Sequence, residues 1–357
     1  MGKSSACGPT SAAGPEVVRV EAPARLHLGF IDVSGSIGRR FGSVGLAVDD
    51  IATVVELRRG SGLSADGPGA ERALQYLRRL ADDYDPVTGA ALTVHRCIPE
   101  HVGLGSGTQL AFAVGRAFAE LFGIALTPRD IAARLDRGAR SGIGIGAFES
   151  GGFVVDGGRT PGGDYPPVIA RLPFPDAWRL LLVFDRAVRG MHGDAERDAF
   201  RALRAFPQDR AAHLAHLVLM RAMPALVEGD WRSFGTAIGE LQRTVGDYFA
   251  PAQGGRFAST RVAEVLAWLE SRDIPGVGQT SWGPTGFGLL ESEVRAHQLM
   301  HEARARFAHV PELEFVVVRA RNSGHRLERF TPAHGAAAGA APSAAAAQAA
   351  SPQATRC

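Results

Sequence analysis

HRCIPEHVGLGSGTQLAFAVGRAFAELFG, residues 95–123, begins at the end of a short apolar strand (Ala91–Cys97), passes Pro99 and a close run of glycines, and becomes a long, mostly apolar helix. That order makes an anion site. Gly103, Gly105 and Gly107 reach backbone angles closed to other residues and let a ligand approach the main chain. Ser106 and Thr108 are placed to cap the following helix, whose unpaired N–H groups and positive dipole end favour phosphate oxygens. The loop fits a pyrophosphate or a triphosphate, and a glycine-rich turn without a ligand has the same letters. Two other phosphate patterns are absent: no Walker lysine follows the glycines, and GLGSGT lacks the spacing of the dinucleotide fingerprint.

With 357 residues, 45% of them hydrophobic, the chain can bury a large core and is long enough for two fused lobes. A net charge of +2, with arginines spread rather than blocked, gives no basic field of the kind nucleic acid needs. Cys7, Cys97 and Cys357 lie far apart, so neither a disulfide framework nor a cysteine metal site is expected, and a reducing cytoplasm is. No apolar run approaches a membrane span and the N-terminus has no signal-peptide core, which predicts a soluble protein with no membrane partner.

Residues 1–15, and those from about Ala333 onward, are small, polar or alanine-rich without pattern and read as disordered tails. Between them, Val17–Val33 alternates as a strand broken at Pro23, and Leu46–Arg58 is rich in Val and Ile. Ala70–Leu80 has helical spacing, and Thr127-Pro128 reads as the cap and first residue of a helix to about Arg137. A second glycine-dense loop, RSGIGIGAFESGGFVVDGG (Arg140–Gly158), ends in a short strand, Phe153–Val155, and further strands are expected at Val168–Leu172 and Arg179–Phe184. Helical patterns run from Asp194 to Ser271. A third glycine loop, GQTSWGPTGFGLL (Gly278–Leu290), precedes a helix over 292–307 and a last strand, Glu314–Val318.

Four pieces taken together, ARLHLGFIDVSG (Ala24–Gly35), GLGSGTQLA (Gly103–Ala111), the second loop and TSWGPTGFG (Thr280–Gly288), resemble the GHMP superfamily of small-molecule kinases. They are more closely similar to its non-kinase branch, the β-ribofuranosylaminobenzene 5′-phosphate synthases. The resemblance runs from about Val17 to Phe330. It implies an α+β fold of two lobes: an N-terminal lobe over 16–185, of the ribosomal protein S5 domain 2-like kind, and a helix-rich α/β C-terminal lobe over 186–330. GHMP kinases with an aspartate base read S-G-x-D ahead of a glycine pair. Here Ser141-Gly142-Ile143 is followed by Gly144, with Gly151-Gly152 downstream. The place of the base is a glycine, which weakens a kinase reading without removing it.

The resemblance implies phosphoribosyl transfer from phosphoribosyl pyrophosphate to 4-hydroxybenzoate or 4-aminobenzoate, with loss of pyrophosphate and carbon dioxide, in methanopterin synthesis. It further implies Mg2+ and a homodimer. Gly103, Gly105, Ser106, Gly107 and Thr108 are the expected pyrophosphate residues. Gln109, His101, Ser141 and Trp282 are candidates for substrate contact; helix surface, exposed loop and core are the plain alternatives for Gln109, His101 and Trp282. Arg25, His27, Asp32 and Glu196 are the candidate catalytic residues. Arg25 suits a carboxylate or phosphate, and Asp32 or Glu196 suits magnesium or ribose hydroxyls; a solvated strand face and an acidic helix start are the alternatives. His213 and His216, three apart, lack further ligands nearby. An ATP-dependent kinase and a silent phosphate-binding protein are the rival functions, since phosphate binding is common to all three.

Overall fold

The computed structural model describes residues 16–84, 89–163, 165–191 and 193–330, with side chains of 193–197 outside that description. Both expected tails lie outside the described residues. β1 (Val17–Asp32) and β2 (Gly42–Arg59) form the antiparallel spine of the first sheet. Val18, Val20, Ala22, Ala24, Leu26 and Leu28 alternate into the core, as period 2 dictates. Pro23 does not end the strand. The register jumps between Pro23 and Ala24, where a residue without an N–H costs no ladder bond, and Asp50 opposite takes φ 71°.

β3 (Leu63–Asp66), β4 (Ala90–Arg96), β5 (Phe153–Asp156), β6 (Val168–Leu172) and β11 (Arg326–Phe330) complete this seven-stranded sheet in the order β11-β1-β2-β4-β3, with β5 pairing the end of β2 and β6 pairing β5. Helices α1 (Ala70–Asp83), α2 (Ser106–Phe122) and α3 (Pro128–Leu135) bury Leu77, Phe112, Phe118 and Ile131 in a core shared with Val20 and Leu57. Thr127 caps α3 in a reciprocal box with Asp130, as the Thr-Pro start predicts.

A second, four-stranded antiparallel sheet has the order β10 (Leu313–Val318), β7 (Arg179–Asp185), β9 (Gly286–Leu290), β8 (Val277–Gln279). α9 (Thr260–Ser271) and α10 (Glu293–Arg306) pack on it through Leu266, Leu269 and Leu299. α5 (Gly193–Ala202), α6 (Gln208–Leu217), a π-helical turn (Val218–Ala222), α7 (Met223–Glu228) and α8 (Trp231–Gln253) make up the helical run. α8 lies against both β1 and β8, so Phe234 and Leu241 share one core with Leu26 and Phe287. The expected division at 185/186 leaves β7 with the first lobe, whereas β7 pairs in the second sheet and β11 returns to the first. No described helix is long and apolar enough to cross a membrane.

The second glycine loop contains a helix, α4 (Ile143–Glu149). Its glycines oppose helix formation, and packing overrides them: a Cβ at Gly146 would lie 2.6 Å from Val154 Cγ1, so the small residue admits β5. The buried Asp156 carboxylate pins this corner, accepting hydrogen bonds from the Ser43 and Ser141 hydroxyls and from the Gly142 and Gly158 N–H groups. Burial pushes its pKa up to about 6, above the usual 3.8, although those four donors favour the ionised form. Between about pH 4 and 6 the folded chain therefore holds a proton that the unfolded chain has lost, and stability from this group falls as pH rises. The melting temperature of Asp156→Asn relative to wild type should climb from about pH 4 to 6 and then level off; a pH-independent difference would mean an ordinary carboxyl.

Candidate active site

The first and third glycine loops meet backbone to backbone where the lobes join. A Cβ on Gly103 would stand 2.4 Å from the Thr280 carbonyl, and one on Gly283 would stand 2.4 Å from the Val102 carbonyl, so no side chain fits either point. The Gly103 carbonyl accepts the Thr280 hydroxyl at 2.9 Å and Arg25 Nη1 at 2.6 Å, while the Arg25 N–H donates to the Leu104 carbonyl at 3.1 Å. Arg25 thus braces the loop itself. Its expected grip on a substrate carboxylate or phosphate has to be set beside that contact.

α2 starts at Ser106 after Gly105, which has φ 83° and carries no capping side chain. This corrects the expectation that Ser106 and Thr108 cap the helix: both lie inside its first turn, past the capping position. The Thr108 and Gln109 N–H groups reach the Gly105 carbonyl, and those of Ser106 and Gly107 have no acceptor among the described residues. The dipole end is left for a ligand. It opens on a cleft of about 350 Å³ lined by the whole expected set, Gly103, Gly105, Ser106, Gly107 and Thr108, together with His101, Trp282, Met191 and two arginines.

Those arginines, Arg72 of α1 and Arg137 beyond α3, were not read from the sequence. Arg72 Nη1 lies 3.7 Å and Arg137 Cζ 3.9 Å from the point where a Cβ on Gly107 would be. Arg137 donates to the Tyr76 hydroxyl at 2.7 Å and lies over its ring; Arg72 pairs with Glu100 at 3.0 Å. Two guanidinium groups flanking a helix N-terminus make a site for a polyanion. Nothing in a chain with so many dispersed arginines separates these two, since the fold alone brings α1 and the end of α3 to the loop.

Of the other candidates, His101 does line the cleft, with φ 61° and Nε2 3.8 Å from Glu100. His27 is 4% exposed, its ring 4.6 Å from Phe30. Burial, reinforced by Arg25 and Arg140, pulls its pKa down to about 3, so the ring is neutral near pH 7 and supplies no imidazolium. Trp282 is buried against Phe249 and Phe200 and lines the cleft as well. Gln109 is buried and donates to the Gly144 carbonyl at 3.0 Å, which ties α2 to α4 and corrects the expected ligand contact. Ser141 is held by Ser43 and Asp156 and accepts the Ile143 N–H; it is not a cleft residue. Asp32 is corrected too. Its Oδ1 closes a turn on the N–H and hydroxyl of Ser34 and faces a separate, apolar groove beside Ile37 and Ile169. The Glu196 side chain lies outside the described residues. His213 pairs with Glu240 on the surface.

No described carboxylate lines the cleft, and no cluster of three described His, Cys, Asp or Glu side chains suits a metal. A Cβ on Gly144 would sit 3.0 Å from Thr108 Cγ2, so an aspartate there would press on the anion loop.

Matches to known proteins follow this geometry. Residues 70–152 match the GHMP kinases N terminal domain and residues 222–309 the GHMP kinases C terminal domain. Solved structures agree: the fold superposes on homoserine kinase from Cytophaga hutchinsonii with TM-score 0.60 at 16% identity, covering 90% of this chain and 100% of that one. Mevalonate-3-kinase from Thermoplasma acidophilum gives 0.63 at 13% identity, covering 88% and 99%. In sequence, the chain is 33% identical to the beta-ribofuranosylphenol 5'-phosphate synthase of Archaeoglobus fulgidus, over 87% of this chain and 100% of the relative, and 31% identical to that of Methanothermobacter thermautotrophicus, over 77% and 89%. The chain belongs to this synthase family and is an enzyme with the GHMP fold.

Arg72→Gln and Arg137→Gln should each weaken pyrophosphate binding by roughly tenfold in calorimetry, the scale of one lost charge-assisted bond; unchanged affinity would place the anion elsewhere. Gly144→Asp should lower the melting temperature and gain no ATP-dependent phosphotransfer, and a gain would show that only the missing base separates this site from a kinase.

Proposed function

We propose that the enzyme joins phosphoribosyl pyrophosphate to a para-substituted benzoate, 4-hydroxybenzoate or 4-aminobenzoate, forming the C-riboside 5′-phosphate of tetrahydromethanopterin synthesis. The observation that carries this reading is the uncapped N-terminus of α2 between Arg72 and Arg137, in a cleft without a described carboxylate base. In the reaction the C1–oxygen bond of the sugar breaks and its electron pair leaves with pyrophosphate. The ring carbon bearing the carboxylate then bonds to C1, and carbon dioxide departs, returning its bonding pair to the ring. Charge develops on the leaving group, so cations and fixed N–H dipoles aimed at it lower the barrier without reorganisation. Holding ring and sugar in line supplies the rest.

His27, buried and neutral, fits a site that moves no proton to the leaving group. Magnesium, in this proposal, would neutralise part of the pyrophosphate charge, with Glu196 the candidate ligand from the chain. The names of the archaeal relatives support a phenol product. A homodimer belongs to the same reading, and sedimentation of the purified chain tests it.

The deciding assay supplies magnesium, phosphoribosyl pyrophosphate and either carboxyl-labelled acid, and measures both products. Equal, acid-dependent release of carbon dioxide and pyrophosphate is expected. Release of neither, with ATP turnover on a hydroxyl acceptor, would replace the synthase by a kinase.

A further inference from the structure

Arg40, just ahead of β2, and Arg159, just past β5, form an isolated antiparallel bridge. The Arg40 N–H donates to the Arg159 carbonyl at 2.9 Å, and the Arg159 N–H donates to the Arg40 carbonyl at 2.8 Å. Residues that exchange both main-chain bonds stand directly opposite, about 5.5 Å apart at Cα, with their side chains on one face. Like charges in that relation destabilise a sheet. Among the described residues, neither guanidinium has a carboxylate partner. Several arginines elsewhere do: Arg58 has Glu56, Arg186 has Glu314 and Arg232 has Asp273.

Both guanidinium groups lie against one ring. Cζ of Arg40 is 5.0 Å and Cζ of Arg159 is 5.7 Å from the Phe41 centroid. Successive side chains of a regular strand point to opposite faces, and Phe41 breaks that alternation with φ 67°. Such a backbone is costly for an aromatic residue and persists only where its surroundings hold it. Phe41 is 6% exposed and packs edge-on against Phe200 of α5 at 5.4 Å. Arg40 is held too. Its Nε donates to the Val33 carbonyl at 3.3 Å, and its stem crosses Gly35, where a Cβ would lie 2.3 Å from Cγ. This anchoring leaves both Nη atoms of Arg40, and the whole fork of Arg159, without a hydrogen-bond acceptor among the described residues.

We propose that Arg40 and Arg159 form a second anion site, for a phosphate monoester, distinct from the N-terminus of α2. A carboxylate brings two oxygens and one charge, which a single guanidinium fork saturates. A phosphate monoester brings close to two charges and three acceptor oxygens, enough for both forks. It also offsets the repulsion between two arginines already set side by side, so binding and relief of the cross-strand cost act together. Two sources share this chemistry: a free sugar phosphate, and the C5 phosphate of a phosphoribosyl ligand whose pyrophosphate lies on α2.

Calorimetry with ribose 5-phosphate, pyrophosphate and phosphoribosyl pyrophosphate, on wild type and on the Arg40→Gln/Arg159→Gln double variant, tests the site. Ribose 5-phosphate affinity should fall roughly tenfold or more in the double variant, while that of pyrophosphate stays unchanged. A matching fall for phosphoribosyl pyrophosphate would mean that one ligand spans both sites; an unchanged value there would mean a separate sugar phosphate. Arg306→Gln, which removes a guanidinium 5.7 Å from the Phe307 ring, should alter none of the three. Arg159→Lys keeps the charge and loses the fork, and should weaken ribose 5-phosphate alone if the double variant does not fold. Ribose 5-phosphate bound equally by wild type and variants, or not bound by wild type, would overturn the site. A parallel loss for pyrophosphate would show a general charge effect and overturn it as well. None of these measurements uses turnover, so a chain that fails the synthase assay but binds ribose 5-phosphate through this pair loses the reaction proposed above and keeps this site.

Discussion

The contact on which this structure depends is the meeting of two main chains at Gly103 and Gly283. With no side chain between them, the first glycine loop is held by the second lobe, through the Thr280 hydroxyl, and by the first, through Arg25. The position of α2 follows from that clamp. A helix whose first turn is fixed at a junction of lobes, with its capping place filled by a glycine, presents N–H groups that the protein does not use. The Gly190 N–H donates to the His101 carbonyl at 2.8 Å, which ties the chain leading to α5 into the same junction. Loop, lobe interface and anion site are therefore one construction, and a change at either glycine reaches all three.

Electrostatics divides the site into two halves. On the cleft side, Arg72 and Arg137 are partly solvated, Arg72 paired with Glu100 and Arg137 bonded to the Tyr76 hydroxyl. On the other side, His27 is buried and held neutral, by desolvation first and by Arg25 second. Different arginines thus act on the two sides: Arg72 and Arg137 line the cleft, while Arg25 and Arg140 disfavour a proton on His27. A leaving group that departs as an anion needs the first condition, and an aromatic ring beside the sugar is compatible with the second.

Most elements were legible because their signals are local, whereas the expected boundary at 185/186 missed that β7 pairs in the second sheet and β11 in the first. Alternation drew β1, Val and Ile content drew β2, and the Thr127-Pro128 start drew α3. The glycine run drew the loop ahead of α2, and all five of its expected residues line one cleft. What escaped is non-local. α4 and β9 are written in glycines that read as loop, and they exist because Val154, Val262 and Leu269 leave no room for a Cβ at Gly146, Gly286 and Gly288. Arg72 sits within α1 and Arg137 just past the end of α3, and they become a pair only in space. Asp32, Ser141 and Gln109 erred for one reason: a polar residue inside a motif was read as facing a ligand, and each instead satisfies neighbouring backbone or hydroxyl groups.

Gly144 shows how a kinase fold can serve another reaction. In a phosphoryl transfer the protein must orient a hydroxyl and take its proton, which requires space for a base beside the phosphate loop. Here that space is occupied by Thr108, and the Gly144 carbonyl is committed to Gln109. A base there would press on the Thr108 methyl, 3.0 Å from the Cβ position, and that side chain would have to give way. The phosphate-binding end of the fold needs no such group, since dipoles and guanidinium charges stabilise a departing pyrophosphate as well as a bound triphosphate.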